Sequence, residues 1–214
     1  AYKKEGEVLY RKAQVYYRMG EGEKARLCLQ DLLKDRESLC RTRLLAAYNA
    51  CYLLNKERAA LKMVKSVLKE TKAGSEEYFR AGFLMAEIYM RSGKQAKTKK
   101  TAEALLSVWQ SRYGDDSLKK WKYRRKRLYE LGLLHLFAGR PREALEQARL
   151  MAEAPKCEGI CCGQQGGTCA EALYLLALIC ESTGKRQEAA DHYTKLIQSG
   201  FLNIPADYGR RRLQ

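Results

Sequence analysis

Residues 128–144 read Leu-Tyr-Glu-Leu-Gly-Leu-Leu-His-Leu-Phe-Ala-Gly-Arg-Pro-Arg-Glu-Ala, and their spacing decides the architecture. Leu128, Leu131, Gly132 and His135 mark one face of a helix. Gly139 then supplies a residue able to adopt the left-handed turn that ends it. Ala144, with Ala148 and Met151, opens the apolar face of a second helix, and its small side chain allows close approach to the first. The same cadence, a helix end at Gly or Asn followed five residues later by a small residue, occurs four more times. It joins Gly20 to Ala25, Asn55 to Ala60, Gly93 to Thr98 and Gly184 to Ala189. Five helix–turn–helix units in series predict an all-α solenoid, in which function lies on a surface and seldom in a pocket.

The stripes around each turn agree with this reading. Leu9, Ala13 and Tyr16 lead to Gly20, with Leu29, Leu32 and Leu33 after it; Gly82, Ala86 and Tyr89 lead to Gly93, with Ala102, Leu105 and Leu106 after it. Leu173, Leu176, Ala177 and Cys180 precede Gly184, and Tyr193, Leu196 and Ile197 follow. The second unit is the least regular, with Leu44, Tyr48 and Cys51 before Asn55 and Val64, Val67 and Leu68 beyond it. Successive turns lie 35, 38, 46 and 45 residues apart, and the added length falls at Trp109–Lys120 and Pro155–Cys169.

This pattern resembles the tetratricopeptide repeat family of helix pairs about 34 residues long. Leu128, Leu131, Gly132, Gly139 and Ala144 carry the best match, with Pro155 near the family's closing proline; the second unit departs at its turn and at Cys51. The resemblance implies a right-handed solenoid of about five repeats, at about 6–36, 41–72, 77–111, 124–155 and 170–200. These form a single domain over 1–214, with a short closing helix around Ala206–Leu213. It implies further that the first helix of each pair lines a concave groove that holds a peptide or helix of a partner protein. Carried onto this chain, the groove positions are Tyr10, Gln14, Tyr17, Leu45, Asn49, Tyr52, Arg80, Phe83, Glu87 and Met90. Tyr129, Leu133, Leu136, Tyr174 and Leu178 continue them. The lining is aromatic and aliphatic with few charges, which suits capture of a helix or an extended peptide. Tyr52 and Phe83 are the expected anchors, to be removed without unfolding the chain. The basic clamp by which some family members hold a chaperone's C-terminal carboxylate is not reproduced. Of its positions Tyr10, Gln14, Ala46, Arg80 and Leu84, only Arg80 is basic.

Composition narrows the classes. The chain has 214 residues, 46% of them hydrophobic and only 3 Pro, so long helices are allowed. No run approaches the roughly 18 apolar residues of a membrane span. The start at Ala1-Tyr2-Lys3-Lys4 and the end at Arg210–Gln214 read as those of a segment of a longer protein. A net charge of +16 favours acidic or polyanionic partners without choosing among them. The densest charge is Lys119, Lys120, Lys122, Arg124, Arg125, Lys126 and Arg127, interleaved with Trp121 and Tyr123. Such a segment suits phosphate neutralisation with base stacking, which makes an RNA- or DNA-binding solenoid the alternative function, or it is a solvated helix start. Lys94, Lys97, Lys99 and Lys100 form a second basic group.

Cys28, Cys40, Cys51 and Cys180 sit singly among helical residues as small hydrophobes, which argues for a reducing compartment, cytosol or nucleus. Cys157, Cys161, Cys162 and Cys169 lie together in a glycine-rich connection. Four thiolates satisfy tetrahedral zinc, but the C-x3-C-C-x6-C spacing matches no common zinc ribbon or knuckle; redox-active or disulfide-forming thiols and a glycine-rich loop with unpaired thiols are the other readings. Catalysis is poorly served. His135 and His192 fall on helices, Asp115-Asp116 reads as a helix start, and Gly163–Gly167 lacks the Lys-Ser/Thr of a phosphate loop. A non-enzymatic interaction scaffold is the expectation.

Overall fold

A computed structural model describes residues 2–34, 39–114, 124–153 and 170–198. They form ten α-helices: α1 (Tyr2–Arg18), α2 (Gly22–Lys34), α3 (Cys40–Tyr48), α4 (Glu57–Glu70), α5 (Glu76–Arg91), α6 (Gln95–Tyr113), α7 (Arg124–Phe137), α8 (Pro141–Glu153), α9 (Ala170–Ser182) and α10 (Arg186–Gln198). A π-helical turn, Asn49–Leu53, prolongs α3. Among the described residues there is no strand, and the fold class is an all-α helical-repeat solenoid. No helix of the described residues is long and apolar enough to cross a membrane. The chain divides into two compact units, Ala1–Thr101 and Ala102–Gln214, with the boundary inside α6.

The turns form as the cadence requires. Gly20, Gly93, Gly139 and Gly184 have φ of +78°, +67°, +78° and +78°. Each places the next N–H on a carbonyl five residues back, as when Arg140 donates to His135 at 2.8 Å and Lys94 to Tyr89 at 2.9 Å. This is the bonding of a Schellman C-cap, and it satisfies carbonyls that the helix end leaves over. Small residues then meet within each pair. Ala13 and Ala25, like Ala47 and Ala60, have no exposed surface. In the second unit Gly132 is packed so closely that a Cβ there would lie 2.5 Å from Leu175 Cδ2 and 3.3 Å from Gln147 Cβ.

The second repeat breaks the rule by one residue. Asn55 takes the left-handed turn at φ +52°, yet Lys56 N–H donates six residues back, to Ala50 at 2.7 Å, and Leu54 to Asn49 at 3.1 Å. The π-helical turn holds one extra residue. Counting back from the left-handed residue, the small position is the seventh in four repeats: Ala13, Ala86, Gly132 and Ala177. In the second repeat it is the eighth, Ala47. Everything N-terminal to the π turn is therefore displaced by one place, which explains the irregular stripe of that repeat.

Successive repeats stack through a defined face of each first helix. In α5 this face is Ala81, Leu84 and Ile88, and in α9 it is Ala172, Leu175 and Ile179, all buried. In the second repeat it includes Asn49, the first residue of the π-helical turn, whose Nδ2 donates to the Gly22 carbonyl of α2 at 2.9 Å. Close approach at that junction depends on Gly22, where a Cβ would stand 2.7 Å from Leu53 Cβ.

Two histidines give the second unit a pH dependence. Burial, with a smaller contribution from Arg140, holds His135 below the ordinary 6.5, against an opposing pull from Glu143. Burial and Lys195 lower His192 likewise, against Asp191 and Glu188. A folded-state pKa below the unfolded one means that the unfolded chain binds more protons in the window just below about 6.5. Stability contributed by the neutral imidazoles is complete above that value and lost as the pH falls. Thermal midpoints recorded from about pH 7.5 down to about pH 5 should therefore decline, and His135→Gln should flatten the decline; an unchanged profile would reject the assignment.

Candidate functional site

The first unit brings α1, α3 and α5 side by side with their groove positions on one face. Tyr10 on α1 is half-buried beneath the Arg41 guanidinium, 4.7 Å from the ring centroid. Arg41 is anchored by Glu7 at 2.5 Å, and Arg11 holds the same carboxylate at 2.9 Å. These are exposed ion pairs, so they orient the ring more than they stabilise the fold. Gln14 lies one turn further along α1, half-buried.

On α3 the extra residue of the π turn changes which side chain is presented. Asn49 is 2% exposed and faces α2, so it stands on the stacking face instead of in the groove. Tyr48 occupies the equivalent groove position, and sequence reasoning missed it. Its ring stacks on Tyr52, with centroids 6.0 Å apart and planes within 10°, and its hydroxyl donates to the Arg80 carbonyl at 3.3 Å. Burial pushes the Tyr48 phenol up to about 12, with Glu87 adding to the rise and Arg80 opposing it. The ring is a neutral donor at any physiological pH.

Beneath this layer the groove has a polar floor. Tyr17, Tyr52 and Glu87 are 5%, 3% and 7% exposed. The Tyr52 hydroxyl donates to Glu87 Oε2 at 2.6 Å, and the Arg91 guanidinium sits 5.7 Å from the Tyr52 ring. Arg91 also donates to Cys51 Sγ at 3.0 Å and lies 3.7 Å from Glu57. Burial raises the Cys51 thiol to about 12 despite that guanidinium, so it is a packed thiol and not a nucleophile. Leu45, expected in the groove, is buried and, with the second repeat displaced by one residue, shares the stacking register of Asn49.

What reaches the surface on α5 is Arg80, exposed, and Phe83, half-buried against Phe79 with centroids 6.2 Å apart. Met90 is half-buried. Tyr10, Gln14, Tyr48, Phe83 and Arg80 thus form the accessible part of the candidate site: three rings, an amide and a cation on three helices.

Of the groove positions in the second unit, Tyr129 is half-buried, while Leu133, Leu136, Tyr174 and Leu178 are buried. The basic segment is described only from Arg124 onward; Lys119, Lys120 and Lys122 lie outside the described residues. Lys126 is exposed, and Arg124 and Arg125 are half-buried. Arg127 is drawn into the packing: it donates to Glu130 at 2.5 Å and stands 3.4 Å from the Tyr113 ring centroid. The buried Trp109 indole donates to the same Glu130 oxygen at 3.1 Å. Lys94, Lys97, Lys99 and Lys100 are exposed in the first unit.

Cys157, Cys161, Cys162 and Cys169, the zinc candidates, lie outside the described residues, as does the closing helix expected at Ala206–Leu213. Among the described residues no group of His, Cys, Asp or Glu is arranged to hold a metal. Cys28, Cys40, Cys51 and Cys180 are free thiols.

Comparison with known proteins follows the same lines. Tetratricopeptide repeat family models match residues 7–36 and 170–199, the first and fifth repeats. The crystal structure of PilW, a widely conserved type IV pilus biogenesis factor, superposes with a TM-score of 0.51 at 13% identity, covering 94% of this chain and 80% of that one. A Podosopora anserina putative kinesin light chain with nearly identical TPR-like repeats gives a TM-score of 0.49 at 14% identity, covering 92% and 93%. No curated protein matches the sequence.

Proposed function

This chain belongs to the tetratricopeptide repeat family, and from that premise we propose that it captures a peptide or helix of a partner protein on the face of α1, α3 and α5 that carries Tyr10, Gln14, Tyr48, Arg80 and Phe83. At the coarser level it is a protein–protein interaction module. The observation that supports the finer reading is the layering of the site. Accessible rings lie over a buried Tyr52–Glu87 pair with the half-buried Arg91 beside it, so they are held in place before a partner arrives. Pre-set aromatic surface lowers the ordering cost of binding. Arg80, exposed at the edge of the rings, favours an acidic or C-terminal group on the partner. The role is that of a scaffold, with no catalytic constellation among the described residues of the groove.

The test uses the accessible rings. Proteins retained from native lysate by the intact chain should be lost, by about tenfold or more, with Tyr10→Ala/Phe83→Ala, which removes two anchors. Both residues are half-buried, so the thermal midpoint should shift little. Retention equal to that of the intact chain would reject the groove. Capture that is aromatic in origin should weaken only gently between low and moderate salt. A steep loss, accompanied by a gel shift with generic RNA, would point instead to phosphate contacts at the basic segment.

A further inference from the structure

Helix α4 buries Ala60, Val64 and Val67 and turns Arg58, Lys62, Lys65 and Lys69 to solvent on its opposite side. Spacings of four, three and four residues align these cations as one ridge, about 16 Å long at about 1.5 Å per residue. None of the four has an ion-pair or hydrogen-bond partner among the described residues. The two acids of the helix are engaged elsewhere. Glu57 accepts from the Ser92 hydroxyl at 3.1 Å and lies 3.7 Å from Arg91, and Glu70 pairs with Arg43 of α3. Like charges three and four residues apart repel along a helix, so the ridge is unfavourable for α4 itself.

The other second helices avoid this arrangement. The four cations lie three, seven, ten and fourteen places beyond the left-handed Asn55. At the same places beyond the other left-handed turns, Glu23 offsets Lys34 in α2 and Glu103 offsets Lys100 in α6. In α8, Glu146 separates Arg142 from Arg149, and α10 has Asp191 and no cation. The excess is thus a property of one helix, and repeat geometry does not require it.

We propose that this ridge binds the phosphate backbone of double-stranded nucleic acid, laid along α4. A convex row of three Lys and one Arg offers point charges and no cleft, and phosphate neutralisation with counterion release needs no more. Helix α4 has no aromatic residue on which an unpaired base could stack, which selects a duplex over a single strand. A protein partner would need an apolar centre of contact, whereas Leu61 and Leu68, at the flank of the ridge, are half-buried. A lipid surface would meet α2 as well, which borders a common trough with α4 and whose equivalent ridge carries no net charge; a rod along α4 meets cations alone. The surface is separate from the groove, to which α4 contributes no residue, and from the basic segment at 119–127.

A labelled DNA duplex of about 20 base pairs and arbitrary sequence, titrated against the intact chain over a range of salt, tests this. Lys62→Gln/Lys65→Gln/Lys69→Gln is compared with Lys12→Gln/Lys24→Gln/Lys34→Gln, which removes the same charge from exposed lysines of α1 and α2. The parent is expected to bind, with affinity falling steeply as salt rises. The α4 variant should weaken binding about tenfold or more at about 0.1 M salt and reduce the log–log salt slope by about 2.5–3, close to 0.9 per lost contact. The control should change that slope by less than about 1. Glutamine keeps the helix propensity of lysine and relieves the repulsion, so the α4 variant should melt at or above the parent's temperature. The proposal is overturned by absence of duplex binding at low salt, by a slope that the α4 variant leaves unchanged, or by an equal loss in the control. Tighter, α4-dependent binding of a polyglutamate peptide or of anionic vesicles would also overturn it.

Discussion

Trp109→Ala is expected to lower the unfolding free energy by about 4 kcal/mol or more, the largest effect of any single truncation considered for the second unit. The indole is 2% exposed and is set edge-on to Tyr113 at 5.5 Å. Truncating a large buried aromatic costs about 3–5 kcal/mol through lost burial and the cavity left behind. The substitution also takes a donor from Glu130, which is 7% exposed and accepts from both Trp109 and Arg127. Losing a hydrogen bond to a charged acceptor adds about 1.5–3 kcal/mol, though the two costs overlap and do not simply sum. Arg127 would then hold a carboxylate with one fewer partner, above a Tyr113 ring freed from its edge contact. Trp109→Phe separates the contributions, keeping most of the volume and losing the N–H. Urea unfolding should show Phe roughly midway between the parent and Ala. A midpoint for Trp109→Ala within about 1 kcal/mol of the parent would contradict the packing described.

The second large effect is expected at Tyr52, in the first unit. Its side chain, 3% exposed, fills the space beneath Tyr48 and donates to Glu87 at 2.6 Å. Tyr52→Ala should cost about 3–5 kcal/mol, and the variant should lose partner capture by losing the fold. Tyr52→Phe removes only the hydroxyl and should cost about 1.5–3 kcal/mol, because the acceptor is a buried carboxylate. Phe83→Ala, at a half-buried position, should fall well below either. Denaturation midpoints for the three variants test the ordering directly. If Tyr52→Ala melted with the parent while abolishing capture, Tyr52 would be a contact residue and the floor described here would be misassigned.

That contrast marks how far the residues alone carry the reading. The fold was legible because a left-handed turn and a small crossing residue are both demanded by chain geometry, and only a few residue types satisfy each. Gly139 with Ala144, and Gly184 with Ala189, are therefore informative wherever they occur at that interval. The face of each first helix outside the second repeat was legible too, since the rotation per residue is fixed. Depth was not. Tyr17, Tyr52 and Glu87 occupy groove register yet lie under the accessible layer, because how closely neighbouring repeats approach depends on side chains in other helices. Glu130 and Trp109 illustrate the same limit: their hydrogen bond joins residues 21 apart, and no local pattern announces it. Register in the second repeat was hidden for a different reason. A π turn adds one residue without demanding any particular one, and the only outward trace is Asn55 where the other turns have Gly.

The π turn carries one consequence beyond its effect on alignment. One residue corresponds to about 100° of rotation in a helix. In the second repeat the side chain offered to a ligand is therefore selected by counting, in the way that advancing a gear by one tooth brings a different mark to the window. With the extra residue, Tyr48 comes to the window and Asn49 is turned toward α2; in a regular helix counted back from Asn55, Asn49 would stand at the window and Tyr48 at the small crossing position. A repeat protein that carries such a tooth changes its recognition surface by length alone, with every amino acid otherwise kept.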